Sequence, residues 1–141
     1  MMTAADIKTM ALKYGACSLI EGADSISGLV SLMASPQGME FCKKHSFPTI
    51  DILRQHKEEL EDMNVYVDAG EIDVTNIDNV ILAGDTCATA RYNSTEKPFH
   101  LMVMHGAKAN VLAWGYSLCL VCNIGGEVEK HCSGNSDIYE K

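Results

Sequence analysis

The spacing in this chain closest to a chemical motif is Cys119-Leu-Val-Cys122, with His131-Cys132 nine residues further on. Three thiolates and an imidazole are the donor set of a Cys3His zinc site, in which sulfur and nitrogen fill a tetrahedron. The patterning around them argues against closure. On a continuous strand residues 119 and 122 point to opposite faces, and Gly125 stands too far on to turn the chain directly after Cys122. The reading is therefore core thiols, with no metal and no cofactor expected. A redox pair at Cys119 and Cys122 would need a helix N-terminus to lower a thiol pKa, and Asn123-Ile-Gly-Gly126 reads as a turn instead.

Cysteine hydrolysis needs a thiol, a histidine base and an orienting group. Cys87, His100 and His105, with Asp85, stand near turns and are the candidates. Six cysteines and five histidines allow many pairings, however, and the sequence selects none. Asp68-Ala-Gly-Glu71 and Ala83-Gly-Asp85-Thr86 put an acid beside a glycine, as some calcium loops do, but no ligand frame follows and turn chemistry accounts for both. No phosphate loop, nucleophile elbow or metalloprotease helix is present. A catalytic role is not assigned, and a non-catalytic one is favoured.

The elements that would position these residues follow from composition and period. The 141 residues are 47% hydrophobic and 21% charged, as expected of a packed single domain over 1–141. The net charge of −8, from 11 basic and 19 acidic side chains with no basic run, argues against a nucleic-acid surface. No long apolar run marks a membrane span, and the start lacks the pattern of a secretion signal, so the expected compartment is the cytoplasm with thiols reduced.

Residues 1–63 read as three or four short helices. Ile7, Met10, Ala11 and Tyr14 place the first near 3–14; Asp24 or Ser25 caps a second through Ile26, Leu29, Val30 and Met33. Ser35-Pro36 starts a third over about 36–45. Thr49 caps a fourth that carries Ile52, Leu53, His56, Leu60 and Met63. From Asn64 the period changes to two, giving short strands separated by turns through 64–141, with 93–98 as the exposed polar loop.

Within that half the stretch 106–122 alternates small with bulky. Ala107, Ala109, Val111, Ala113, Gly115, Ser117, Cys119 and Val121 occupy the odd positions, and Gly84, Thr86, Ala88 and Ala90 form a second such row. Small side chains fill only a thin interior, which favours stacked coils over the roughly 10 Å core of a sandwich. Ala107-Lys-Ala-Asn-Val-Leu-Ala-Trp-Gly115 and Thr86-Cys-Ala-Thr-Ala-Arg-Tyr92 carry a small-x-small-x-Val-x-Ala pattern. By it the region 79–135 resembles the short-repeat β-solenoid segments of bactofilins and phage-encoded repeat proteins. The resemblance implies stacked short strands and a tendency to self-associate, and nothing about activity. The strand intervals here vary, where those segments keep a fixed period.

The expected fold is thus α+β, an N-terminal helix cluster packed on a β-solenoid-like half, with a small β-sandwich as the alternative. The apolar row Leu112, Trp114, Tyr116 and Leu118 needs a cover, either the helices or a second subunit. The expected role is an interaction or assembly module, a homo-oligomer joined through this row or through strand edges. The alternative is a small-molecule-binding or hydrolytic protein with a pocket where helices meet strands, near His100, His105 and Cys87.

Overall fold

The computed structural model describes residues 3–13, 15, 25–94 and 97–140. Tyr14, Cys17, Asp24 and residues 95–96 of the polar loop lie outside the described residues. Among the described residues five helices come first: α1 (Ala4–Lys13), α2 (Ile26–Met33), α3 (Pro36–His45), α4 (Ile50–Gln55) and α5 (Lys57–Glu61). Nine described strands follow: β1 (Val65–Val67), β2 (Gly70–Thr75), β3 (Val80–Ala83), β4 (Thr86–Tyr92), β5 (Phe99–Met104), β6 (Lys108–Ala113), β7 (Leu118–Ile124), β8 (Glu127–Cys132) and β9 (Asp137–Glu140).

Local hydrogen bonds set the helix starts. At α1, the Thr3 amide donates to Asp6 Oδ2 and the Asp6 amide to Thr3 Oγ1, a reciprocal capping box. The side chains of Ser25, Ser35 and Thr49 accept from the amides of Gly28, Gly38 and Ile52 at the starts of α2, α3 and α4 respectively. Each such cap contributes about 1 kcal/mol. The helix expected from Thr49 to Met63 is broken at His56, where the amide bonds Leu53 O, three residues back, and the tighter turn redirects the axis before α5.

The strands alternate between two sheets, all pairings parallel. Sheet A has the order β1-β3-β5-β7-β9 and sheet B the order β2-β4-β6-β8. The chain is therefore an α+β protein with a C-terminal parallel β-solenoid, not a sandwich of antiparallel hairpins. Val65 pairs with Ile81 and Val80 with Leu101, steps of 16 and 21 residues; Phe99 with Cys119 and Leu118 with Asp137 give 20 and 19. The longest step contains the polar loop at 93–98. Extra residues are accommodated at a corner, and the strand ladder keeps its register.

The two small rows lie side by side on the inner face of sheet B, where Ala88 pairs with Ala109 and Ala90 with Val111. Across from them sheet A turns Val80, Leu82, Leu101, Val103 and Val121 inward, and all of these side chains are buried in one cluster. Small against large fills a thin interior without voids. Burial of each such Val or Leu contributes about 2 kcal/mol. The stretch 106–122 is not one strand: β6 ends at Ala113, and Trp114 to Ser117 turn a corner into sheet A. The four-residue corner preserves odd parity, so Ala113, Ser117 and Cys119 are all buried although they belong to different sheets.

Corner hydroxyls replace missing backbone partners. Ser117 Oγ donates to the carbonyls of Tyr92 and Trp114 at 2.9 and 3.0 Å. One coil later Ser136 Oγ does the same to Ala113 and Ser133, both at 2.8 Å. At the opposite corner Thr86 Oγ1 donates to Ala83 O and accepts from the Ala69 amide.

The helices cover the outer face of sheet A. Val65, Val67, Ile81, Ala83, Met102, Met104, Cys122 and Ile124 form a second cluster with Cys42, Leu53 and Leu60 from the helical layer. Sheet A is thus buried on both sides, which explains the nearly continuous apolar run of β5. Polar ties join the layers: Arg54 Nε lies 2.7 Å from Asp68 Oδ2, Lys57 Nζ donates to Asp68 O, and His105 Nε2 donates to Pro48 O at 2.6 Å. No described helix is long and apolar enough to cross a membrane.

Candidate functional site

Two places carry more chemistry than the fold requires. The first is a corner ridge. Leu112 lies one residue before the end of β6 on the outer face of sheet B, Trp114 and Tyr116 occupy the corner, and Leu118 opens β7 on the outer face of sheet A. Trp114 is 37% and Tyr116 71% exposed, while both leucines are half-buried. The expected single apolar face is therefore a ridge wrapped around one corner. The helices reach only its continuation on β7, where Cys122 is buried against them.

The second place is a groove of about 200 Å3 between α3 and the outer face of sheet A. Met39, Leu120 and Cys122 give it an apolar lining, and Glu40, Lys43, His100 and Tyr139 bring polar groups to it. The elements that position His100 are β5 and the turn before β3. Asp78 Oδ1 accepts from the His100 amide at 2.8 Å and faces its Nδ1 at 3.1 Å, so the imidazole donates from Nδ1 and keeps Nε2 as an acceptor. Lys97 Nζ stands 3.7 Å from the other oxygen. Burial alone would raise the Asp78 pKa, but the hydrogen bonds from the His100 amide, its ring and the Asn79 amide outweigh it, and the carboxyl sits below its ordinary value. The pair is an oriented His–Asp dyad, able to accept a proton or a hydrogen bond at Nε2.

Among the described residues none of the candidate thiols is hydrogen-bonded to this dyad. Cys87 lies exposed on the outer face of sheet B, whereas His100 and His105 lie on the helix side of sheet A, so the stack separates the thiol from both imidazoles. His105 sits at a corner with φ 54° and spends its ring on Pro48. Cys42, packed in the same cluster as the groove's Cys122, is held in its thiol form: burial, then the neighbouring Cys122, pushes its pKa up to about 12. Asp85 is an exposed corner residue whose amide donates to Asp68 Oδ1. The acid of the first acid–glycine turn thus serves the fold.

The zinc-like set is dispersed. Cys119 points inward, Cys122 outward to the helices, His131 to solvent from sheet B, and Cys132 lies exposed at the end of β8. Burial, followed by Asp78 and Cys132, raises Cys119 to about 12. Among the described residues no three His, Cys, Asp or Glu side chains converge as a metal site.

Sequence reasoning found His100 but missed Asp78. The signal was coil length, because Asp78 precedes His100 by 22 positions, about one turn of the stack. Reasoning also missed Tyr92, stacked on Phe99 at 4.7 Å with a hydroxyl that has no partner among the described residues. No family model matches the chain, and no curated protein or solved structure matches it either.

Proposed function

We propose that this chain is a non-catalytic assembly module that forms a homo-oligomer through the corner ridge of Leu112, Trp114, Tyr116 and Leu118. The observation that carries the reading is the exposure of two large aromatic rings on a corner that the described helices leave uncovered. Aromatic side chains pair an apolar body with a polar tip and are enriched where proteins meet. The corner backbone beneath is held by the Ser117 and Ser136 hydroxyls, so the rings sit on a preorganised base.

The test is Trp114→Ala/Tyr116→Ala, read by light scattering after size exclusion with circular dichroism as a fold control. Both positions lie on the surface, so the variant keeps its fold and runs as a monomer where the parent chain runs as an oligomer. A folded variant with the parent's mass refutes the ridge as the interface.

The groove at α3 favours a second reading, a small-molecule site built on an apolar lining with the His100 acceptor at its rim. Its volume is modest beside ordinary ligand pockets. Native mass spectra decide it: an organic adduct that is retained by the parent chain and lost by Leu120→Trp supports a ligand site, and adduct-free spectra of freshly purified protein count against it.

A further inference from the structure

The two ends of the solenoid differ from its middle, and the difference decides how copies of this chain can meet. β2 and β8 are the edge strands of sheet B, each with one bonded neighbour. Such edges are templates for another strand unless something blunts them.

Parallel register turns each outward position of sheet B into a row. One row reads Glu71, Cys87, Lys108, Glu127, and the next reads Asp73, Thr89, Asn110, Glu129. In these two rows the middle positions are neutral or basic and all four ends are acidic; the third row, Thr75, Arg91, Leu112, His131, ends in Thr and His and adds no acid pair. A second copy continuing the sheet in register sets Glu127 beside Glu71 and Glu129 beside Asp73, at a strand spacing of about 4.8 Å. Arg91 answers Asp73 within the chain at 2.8 Å, and His131 lies 3.8 Å from Glu129, so the sharper conflict is Glu127 against Glu71. Like charges directly opposite one another oppose pairing.

The interior carries an independent block. Lys130 is in register with Val111 and Glu140 with Val121, so both occupy inward positions where the preceding coil places valines. Their side chains meet across the stack, Nζ to Oε1 at 3.0 Å, with exposures of 42% and 25%. Asn123 Nδ2 donates to the other Glu140 oxygen at 2.8 Å. The Asn123 and Lys130 hydrogen bonds hold the Glu140 carboxyl below its ordinary value. A copy stacked on this end would strip water from the pair and set it against the apolar Ile72 and Val74 of β2, which burial of an ion pair does not reward.

We infer that the last coil is a built-in terminator of the stack, so that a second copy of this chain is refused end to end and any assembly is closed rather than filamentous. The inference rests on the register and the ion pair, not on the corner ridge.

The test uses the full chain carrying Glu127→Thr/Glu129→Thr/Lys130→Val/Glu140→Val, compared with the parent chain, each also in a Trp114→Ala/Tyr116→Ala background to remove the ridge. Sedimentation velocity across a concentration series and negative-stain microscopy give the readout. The parent keeps one mass at all concentrations, whereas the variant's mean mass climbs several-fold and rods appear, in both backgrounds. Rods in the parent, or a folded variant that never exceeds the parent's mass, overturn the inference. If the double valine exchange prevents folding, Glu127→Thr/Glu129→Thr/Lys130→Met/Glu140→Gln decides, because it removes both blocks and keeps side chains of similar length at the pair: growth of its mass with concentration supports the inference, and a folded variant of unchanged mass overturns it.

Discussion

Gly84→Ala separates corner packing from backbone strain when it is measured beside Gly125→Ala. Both glycines have left-handed φ, +67° and +76°. A Cβ at Gly125 meets nothing within 4 Å, whereas one at Gly84 runs into the Asp68 carboxylate and stands 3.0 Å from Ile50 Cδ1. The left-handed alanine costs about 1 kcal/mol at either site. At Gly84 the carboxylate must also move, and its bond from the Asp85 amide, 2.7 Å long, goes with it. That charge-assisted bond is worth about 1.5 kcal/mol. The half-exposed Arg54 pair is screened by solvent and is left out of the sum. The expected losses are about 2.5 kcal/mol for Gly84→Ala and about 1 kcal/mol for Gly125→Ala, or roughly 8 and 3 °C in Tm for a chain of this length. Urea midpoints give the difference directly. In an Asp68→Ala background the penalty at Gly84 should shrink toward the control value. Equal losses at the two glycines would refute the claim that the stacked corners are packed through Asp68.

Thiol labelling of the native Cys17→Ser chain at pH about 8 should modify Cys87 and Cys132 quickly and Cys42, Cys119 and Cys122 slowly, since only the first two are exposed. Rapid labelling of Cys119 would mean that the interior opens. The carboxyls of Asp68, held down first by the Arg54 hydrogen bond, and of Glu140, by Asn123 and then Lys130, lie below their ordinary 3.8 and 4.5. Groups depressed in this way contribute stability that is whole above the unfolded pKa and lost as pH falls through the native one, so unfolding midpoints should hold from neutrality to about pH 5 and fall below about pH 4. Asp68→Asn should lower the neutral midpoint and flatten that acid limb, and an unchanged limb would count against the Arg54 tie. Tyr92→Phe removes a buried hydroxyl without a described partner, so it should be neutral or stabilising by up to about 1 kcal/mol. A loss larger than that would reveal a hydrogen bond to that oxygen.

Much of the fold was legible because it is written in local chemistry. Ser35-Pro36 and Thr49 start their helices where the capping rule puts them, and the change of period at Asn64 marks the entry to β1. The small rows reported a thin interior because Ala88, Ala90, Ala109 and Ala113 of sheet B lie opposite the Leu and Val of the other sheet. The corner at Trp114 to Ser117 was hidden, since a four-residue turn preserves the alternation on both sides of it. The break at His56 was hidden too, as neither proline nor glycine marks it. Of the site residues, Trp114 and Tyr116 stood out by size, but their exposure depends on which sheet the helices cover. The Asp78–His100 dyad and the inward Lys130–Glu140 pair depend on coil register, and a chain whose steps run from 16 to 21 residues does not announce that register in one dimension.

Native mass spectrometry of the full chain tests the central claim most directly, because it reports subunit number, adducts and the spread of assembly states together. Self-association through the ridge with blocked ends predicts one closed oligomer of defined size that Trp114→Ala/Tyr116→Ala converts to a folded monomer. A parent chain that is monomeric at every concentration would contradict it.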